Sequence, residues 1–167
     1  MSSNTQIRAE DYLRMTFEHD AEFVHGDIVE RSMPDKRHAK IQLFLLLRFG
    51  SLMQASGLYP LPELRVKLAP DVYRIPDVCV FVGEPEPLVP DSPPLVAIEI
   101  LSKDDRYSDV IEKLDEYRVW GVQNIWLIDP IAKRLAVYTA IGAQNVATLS
   151  LPEYSLHLTP AELFDNL

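Results

Sequence analysis

The run Pro93-Pro94-Leu95-Val96-Ala97-Ile98-Glu99-Ile100-Leu101-Ser102 constrains this chain more than any other stretch. Seven of the eight residues from Pro94 to Leu101 are apolar, and the exception is Glu99. A continuous apolar run of that length, opened by prolines and closed by Ser-Lys-Asp-Asp, reads as a strand buried on both faces. An ionised carboxylate left alone in such a strand costs on the order of several kcal/mol. Glu99 must therefore meet a cation, a metal ion or a proton. A second stretch, Tyr73 to Val82, repeats the design, with Asp77 at the mouth of an apolar strand.

The elements around these strands are those of an α/β (α+β) chain. A short helix is expected over Ala9 to Phe17, after a polar stretch, residues 1–6, that reads as frayed. A β-hairpin is expected from Glu22 to Arg31 about Gly26-Asp27. A helix follows from Asp35 or Lys36 to Ala55, with Ile41, Leu45, Phe49 and Leu52 at helical spacing and Gly57 as its C-cap. Leu43, Phe44, Leu46 and Leu47 make that helix apolar on most sides, which predicts deep packing. Leu64, Val66 and Leu68 alternate with Arg65 and Lys67 as in a half-exposed strand. Glu84 to Pro94 is a proline-rich surface connection. A helix over Ser108 to Trp120 ends at Gly121, and Ile125 to Ile128 and Leu135 to Thr139 form a further strand pair. Residues 141–151 read as a last edge strand, and Thr159-Pro160 opens a terminal helix. A helix between the Glu99 and Ile125 strands predicts a crossover joining parallel neighbours. The three strands before it predict an antiparallel meander, so the whole is a mixed central β-sheet flanked by helices, with an N-terminal β-hairpin. At 167 residues the size prior is one domain, 1–167.

Composition excludes several classes. The only cysteine, Cys79, rules out an intrachain disulfide and a Cys-rich zinc site, and its apolar setting makes it a core residue. No basic-then-apolar leader opens the chain and no apolar run is long enough to span a bilayer, so the expectation is a cytoplasmic protein with no membrane partner. The net charge of −9 argues against a non-specific grip on nucleic acid. Charge is uneven, however. From Arg31 to Arg48 there are five basic residues and one acid, a pattern equally suited to a local basic rim or to a solvated helix face.

If the Asp77 and Glu99 strands pair, their carboxylates converge at one end of the sheet. Two acids, a strand carbonyl such as that of Ile100, and waters make a hard-cation site suited to Mg²⁺ or Mn²⁺. Lys113 is the third element. Val110, Ile111, Leu114 and Tyr117 form the core face of its helix, and Lys113 stands roughly 90° from that stripe at ~100° per residue. From that border a lysine lays its stem on the core and brings its ammonium to the sheet's end, or else pairs with Asp109 or Glu116 on its own helix.

Ile75-Pro76-Asp77, Glu99-Ile100-Leu101-Ser102, Asp109 to Tyr117, Gly121-Val122 and Ile125 to Pro130, in that order, resemble the Uma-type restriction endonuclease family. That family belongs to the PD-(D/E)xK nuclease superfamily, with its restriction endonuclease-like fold. Glu22-Phe23 to Arg31 is similar to the family's N-terminal hairpin. The resemblance implies a metal-dependent endonuclease (a hydrolase of phosphodiester bonds) acting on nucleic acid, in the first place DNA. Asp77 and Glu99 would be its metal-binding acids, with Ile100 beside them. In the superfamily pattern a lysine stands two residues after the second acid, where this chain has Leu101. The resemblance moves that role to Lys113, with Lys103 as a rival. It also assigns Glu22 to the site and sets His38 at a helix start facing it, although hairpin capping and a helix N-terminus explain these two equally well. Many nucleases of this superfamily act as dimers, so a homodimer is compatible with the resemblance. Two other classes stay open. One is a catalytically inactive nuclease-like module that binds nucleic acid or protein; the other is a structural Glu99 neutralised by Lys113 or Arg106.

Overall fold

The structure, a computed structural model, describes residues 7–165. The expected frayed stretch 1–6 lies outside the described residues. Helix α1 (Ala9–Tyr12) is one turn long and stops well short of Phe17. Beyond Tyr12 there is no apolar stripe to bury: Leu13 and Met15 are exposed, whereas the Tyr12 ring is enclosed by Phe17, Phe23 and Tyr73. The hairpin of β1 (Ala21–Val24) and β2 (Asp27–Glu30) turns at His25-Gly26, one residue before the expected position. Both turn residues have positive φ (49° and 95°), which a type I′ turn requires, and Asp27 is already paired with Val24.

Helix α2 (Lys36–Gly50) is capped by Asp35, whose side chain accepts from the amides of Arg37 and His38. It buries His38, Ile41, Leu45 and Phe49 along one face. Leu43 and Leu47 are 57% and 65% exposed, so the helix is one-sided, contrary to the deep packing its composition predicts. The expected run to Ala55 breaks at Ser51-Leu52 and resumes as α3 (Met53–Ser56), closed by Gly57 at φ 70°. Four strands follow: β3 (Leu58–Pro62), β4 (Val66–Ala69), β5 (Val72–Arg74) and β6 (Val78–Val82). After the proline-rich connection come β7 (Val96–Ile100), α4 (Tyr107–Trp120), β8 (Asn124–Asp129), β9 (Arg134–Thr139) and β10 (Gly142–Val146). Strands β11 (Leu149–Leu151) and β12 (Leu156–Leu158) pair with each other, and α5 (Pro160–Phe164) starts from a capping box between Thr159 and Glu162.

The central sheet has the order β10-β9-β8-β7-β6-β3. It is mixed, as expected, with β7 and β8 parallel and joined through α4, and the other neighbours antiparallel. The predicted meander is corrected. Strand β4 leaves for a second, four-stranded sheet, β2-β1-β5-β4, and its place beside β6 is taken by β3. That strand carries Pro60 and Pro62, which hide it in the sequence and which only an edge position tolerates. The stretch from Tyr73 to Val82 is likewise two strands in two sheets. Ile75-Pro76-Asp77 carries the chain from β5 to β6, and Pro76, lacking an N–H, suits a point where no ladder can continue. The expected edge strand over 141–151 also splits, into β10 on the central sheet and β11 outside it.

One face of the central sheet packs on α2 and α5, through Ile41, Leu45, Phe49 and Phe164 against Val80, Ile98, Trp126 and Ile128. The other packs on α4, through Leu114 and Tyr117 against Ala97, Ile125 and Leu127. No helix among the described residues is long and apolar enough to cross a membrane.

Candidate functional site

The two sheets meet where the chain crosses from β5 to β6, and the acids gather there. Strand β6 pairs with β7 so that Val78 faces Ile98, and one further step sets Asp77 level with Glu99. Asp77 Oδ2 accepts the amide of Ile100 at 2.7 Å. Its Oδ1 faces the guanidinium of Arg31 and, at 3.2 Å, His38 Nε2. Asp77 is 3% exposed. Burial alone would raise its pKa; the hydrogen bond and charge of His38, with Arg31 and Lys113, outweigh burial and hold it below the usual carboxylate range. The partner gains in turn: burial would lower the pKa of His38, but Asp77 keeps it above its ordinary value.

Glu99 Oε1 lies 2.9 Å from Lys113 Nζ and accepts the Tyr117 hydroxyl at 2.7 Å. Lys113 and Tyr117 are four apart on α4 and therefore share one face of it. The lysine stem runs inward far enough to leave the residue 8% exposed. Its ammonium meets Glu22 Oε1 at 2.7 Å and donates to the Ile75 carbonyl at 3.2 Å. Two carboxylates thus share one ammonium, and they titrate in opposite directions. Burial pushes Glu99 up to about 7, opposed by Lys113 and reinforced by the neighbouring Asp77 and Glu22 charges. Glu22 is equally buried, but Lys113, Arg74 and the Ile75 amide together hold it below its usual value. Lys113 stays above the ordinary lysine value because Glu22 and Glu99 outweigh its burial.

Arg74 completes the wall. It reaches Glu22 Oε2 at 2.9 Å and grips Glu116 with two parallel bonds of 2.6 and 2.8 Å. Glu116, one of the two acids considered as a partner for Lys113, is therefore engaged elsewhere; Asp109, the other, accepts from Ser108 and is exposed. Lys103 is exposed and lies outside this cluster, whereas Arg106 lines the same cleft without pairing to Glu99.

These side chains line a cleft of about 270 Å³ that includes Glu22, Arg31, His38, Asp77, Glu99 and Lys113. Seven carboxylates face four Lys and Arg side chains around it, so the cleft carries surplus negative charge. Among the described residues no cluster of three or more His, Cys, Asp or Glu is arranged to hold a metal ion. The fit must therefore be that of an ion needing few protein ligands. Mg²⁺ is such an ion, since it binds through one or two carboxylates and keeps several waters. Asp77, Glu99 and the Ile100 carbonyl beside them suit it in donor chemistry, and Glu99 Oε2 accepts no hydrogen bond from a described residue. Cys79 takes no part: it is fully buried in β6, and burial pushes its thiol up to about 12.

Sequence reasoning singled out Glu22, Asp77, Glu99, Lys113 and His38, all of which meet here, but passed over three others. Tyr117 was counted as a core residue, and it is, except at its hydroxyl. Arg31 was one of five charges in a rim. Arg74 stands three residues from Asp77 in the same apolar stretch, but its partners Glu22 and Glu116 are distant in sequence.

No curated protein matches the chain. Among solved structures it is similar to the crystal structure of "a putative nuclease" from Anabaena variabilis, with 26% identity, a TM-score of 0.85, and coverage of 95% of this chain and 98% of that one. The model of the family Uma2, described as "Putative restriction endonuclease", matches residues 9–165, and the chain belongs to that family.

Proposed function

We propose that the protein is a metal-dependent endonuclease that hydrolyses phosphodiester bonds of nucleic acid, in the first place DNA. Asp77, Glu99 and the Ile100 carbonyl would hold Mg²⁺ or Mn²⁺. The observation that carries the reading is the meeting of two buried acids, from the ends of paired strands, with the buried ammonium of Lys113 in one cleft. A bound divalent cation supplies charge at the phosphate and lowers the pKa of the attacking water. The protein does the rest. Lys113, held by Glu22 and the Ile75 carbonyl, keeps a cation at a fixed place where negative charge develops in the transition state. Glu99 would hold the ion as a carboxylate while its Oε1 stays anchored by Lys113 and the Tyr117 hydroxyl. Arg74, itself gripped by Glu116, holds Glu22 in position and, with Lys113 and the Ile75 amide, keeps it ionised.

The surplus of carboxylates would repel a polyanion, so a divalent cation is expected to be needed for binding as well as for chemistry. The test is thermal denaturation with Mg²⁺ or Mn²⁺. The ion should raise the melting temperature of the wild type, because a ligand that binds only the folded state stabilises it. Asp77→Ala or Glu99→Ala should abolish the shift. An unchanged shift in both variants would remove the site assignment.

A second reading, a nuclease-like module that binds without cutting, is favoured by one observation: Asp77 Oδ1 and Oδ2 and Glu99 Oε1 all have protein partners already. It predicts no metal-dependent shift in the wild type.

A further inference from the structure

The mechanism above leaves Arg31 unused, yet its guanidinium occupies the oxygen of Asp77 that a cation would need. Oδ1 is shared with His38, and Oδ2 accepts the Ile100 amide, so three of the roughly four acceptor positions of the carboxylate are taken. A metal ion bound by Asp77 and the Arg31 pair therefore compete for the same carboxylate. We propose that Arg31 is a displaceable counter-ion: when a divalent cation takes Asp77, the guanidinium swings away and contacts the nucleic-acid phosphate. This rests on the proposed metal site and adds to it a residue that binds substrate.

Three features support the exchange. The backbone at Arg31 is fixed, its amide donating to the Asp20 carbonyl at 3.1 Å, while the Ser32 hydroxyl donates to Asp105 at 2.7 Å on the far side of the cleft. Motion is thereby confined to a long side chain hinged at the end of β2. Next, Arg31 and His38 line both the main cleft and an adjoining one of about 260 Å³, so the residue borders two open spaces. Finally, its departure leaves no bare charge: Asp77 keeps His38 and the Ile100 amide in addition to the incoming ion, and Glu63, 3.9 Å from Arg31, is 37% exposed and returns to water. A guanidinium suits the second task because its planar fork matches two phosphate oxygens.

Two equilibria test this, both independent of turnover: Mg²⁺ affinity by calorimetry, and binding of a short duplex oligonucleotide in Ca²⁺. In Arg31→Gln, with the competing charge gone, Mg²⁺ should bind several-fold more tightly, while oligonucleotide affinity should fall roughly tenfold, as expected for a lost phosphate contact. Arg31→Lys keeps a positive charge, so its Mg²⁺ affinity should stay within about twofold of wild type on the same electrostatic grounds. Unchanged or weaker Mg²⁺ binding in Arg31→Gln overturns the proposal, as does unchanged oligonucleotide binding, or identical Mg²⁺ affinity in the Gln and Lys variants. If the wild type itself binds no Mg²⁺, it is the metal site that fails, and the Arg31 exchange falls with it.

Discussion

Lys113 Nζ lies 2.9 Å from Glu99 Oε1, so the carboxylate standing alone in an apolar strand has its counter-charge on the helix that follows that strand. The same ammonium is 2.7 Å from Glu22 on the N-terminal hairpin. One lysine thus ties together the central sheet, the hairpin sheet and helix α4, and its loss should be felt as a stability change before any chemistry is measured.

Lys113→Met is expected to cost about 3 kcal/mol or more at pH 8, the usual consequence of unpairing a buried ion pair. The cost should shrink at pH 6, because Glu99, already near neutrality, can take up a proton in place of its partner. Urea denaturation at the two pH values checks this. Equal losses would mean that Glu99 does not protonate.

The titration of Glu99 can be isolated with Glu99→Gln. Its folded pKa, about 7, stands above the ordinary 4.5. A carboxyl raised in this way contributes stability that is present below about pH 4.5 and is lost as pH rises through 7. At ~1.4 kcal/mol per unit, the change across that window is on the order of 2–3 kcal/mol. The Gln variant, which cannot ionise, should therefore gain on the wild type as pH rises from 4.5 to 7. Asp77 and Glu22 have the opposite sign: their lowered pKa values contribute stability above the ordinary carboxylate range that is lost on acidification through the folded values. Wild-type stability should consequently peak on the acid side of neutrality. Chemical denaturation of both proteins from pH 4 to 8 tests this, and parallel curves would contradict it.

Tyr117→Phe removes only the hydroxyl that donates to Glu99 at 2.7 Å. The ring stays packed on the sheet, so the expected loss is roughly 1.5–3 kcal/mol at pH 8, the range for a hydrogen bond to a charged group. The loss should fade below pH 6 as Glu99 becomes neutral, and a pH-independent loss would assign it to packing instead.

The order of strong elements, the parallel β7–β8 pair and the convergence of Asp77, Glu99 and Lys113 were legible in the residues, whereas Glu22 entered only through the family resemblance. The reason is physical: a single charge in a buried strand is costly enough to demand an explanation, and Asp77 and Glu99 were found that way. Sheet membership was not legible. The β4–β5 hairpin is local, closing across Pro70-Asp71, but nothing local says that Leu58–Pro62 lies beside Val78–Val82 or that Val72–Arg74 joins Ala21–Val24, because that division is set by long-range pairing on either side of the Pro76 crossing. The engagement of Arg31 was hidden for a similar reason: its partner Asp77 is distant in sequence, and the rim charges around Arg31 gave it no distinction.

The central claim is tested most directly by cleavage of plasmid and single-stranded DNA in Mn²⁺ at low salt, comparing the wild type with Glu99→Ala purified in parallel. The account predicts cleavage by the wild type that requires the divalent ion and disappears in the variant. Equal cleavage by both proteins, or none by a wild type that nonetheless binds the oligonucleotide, would contradict it.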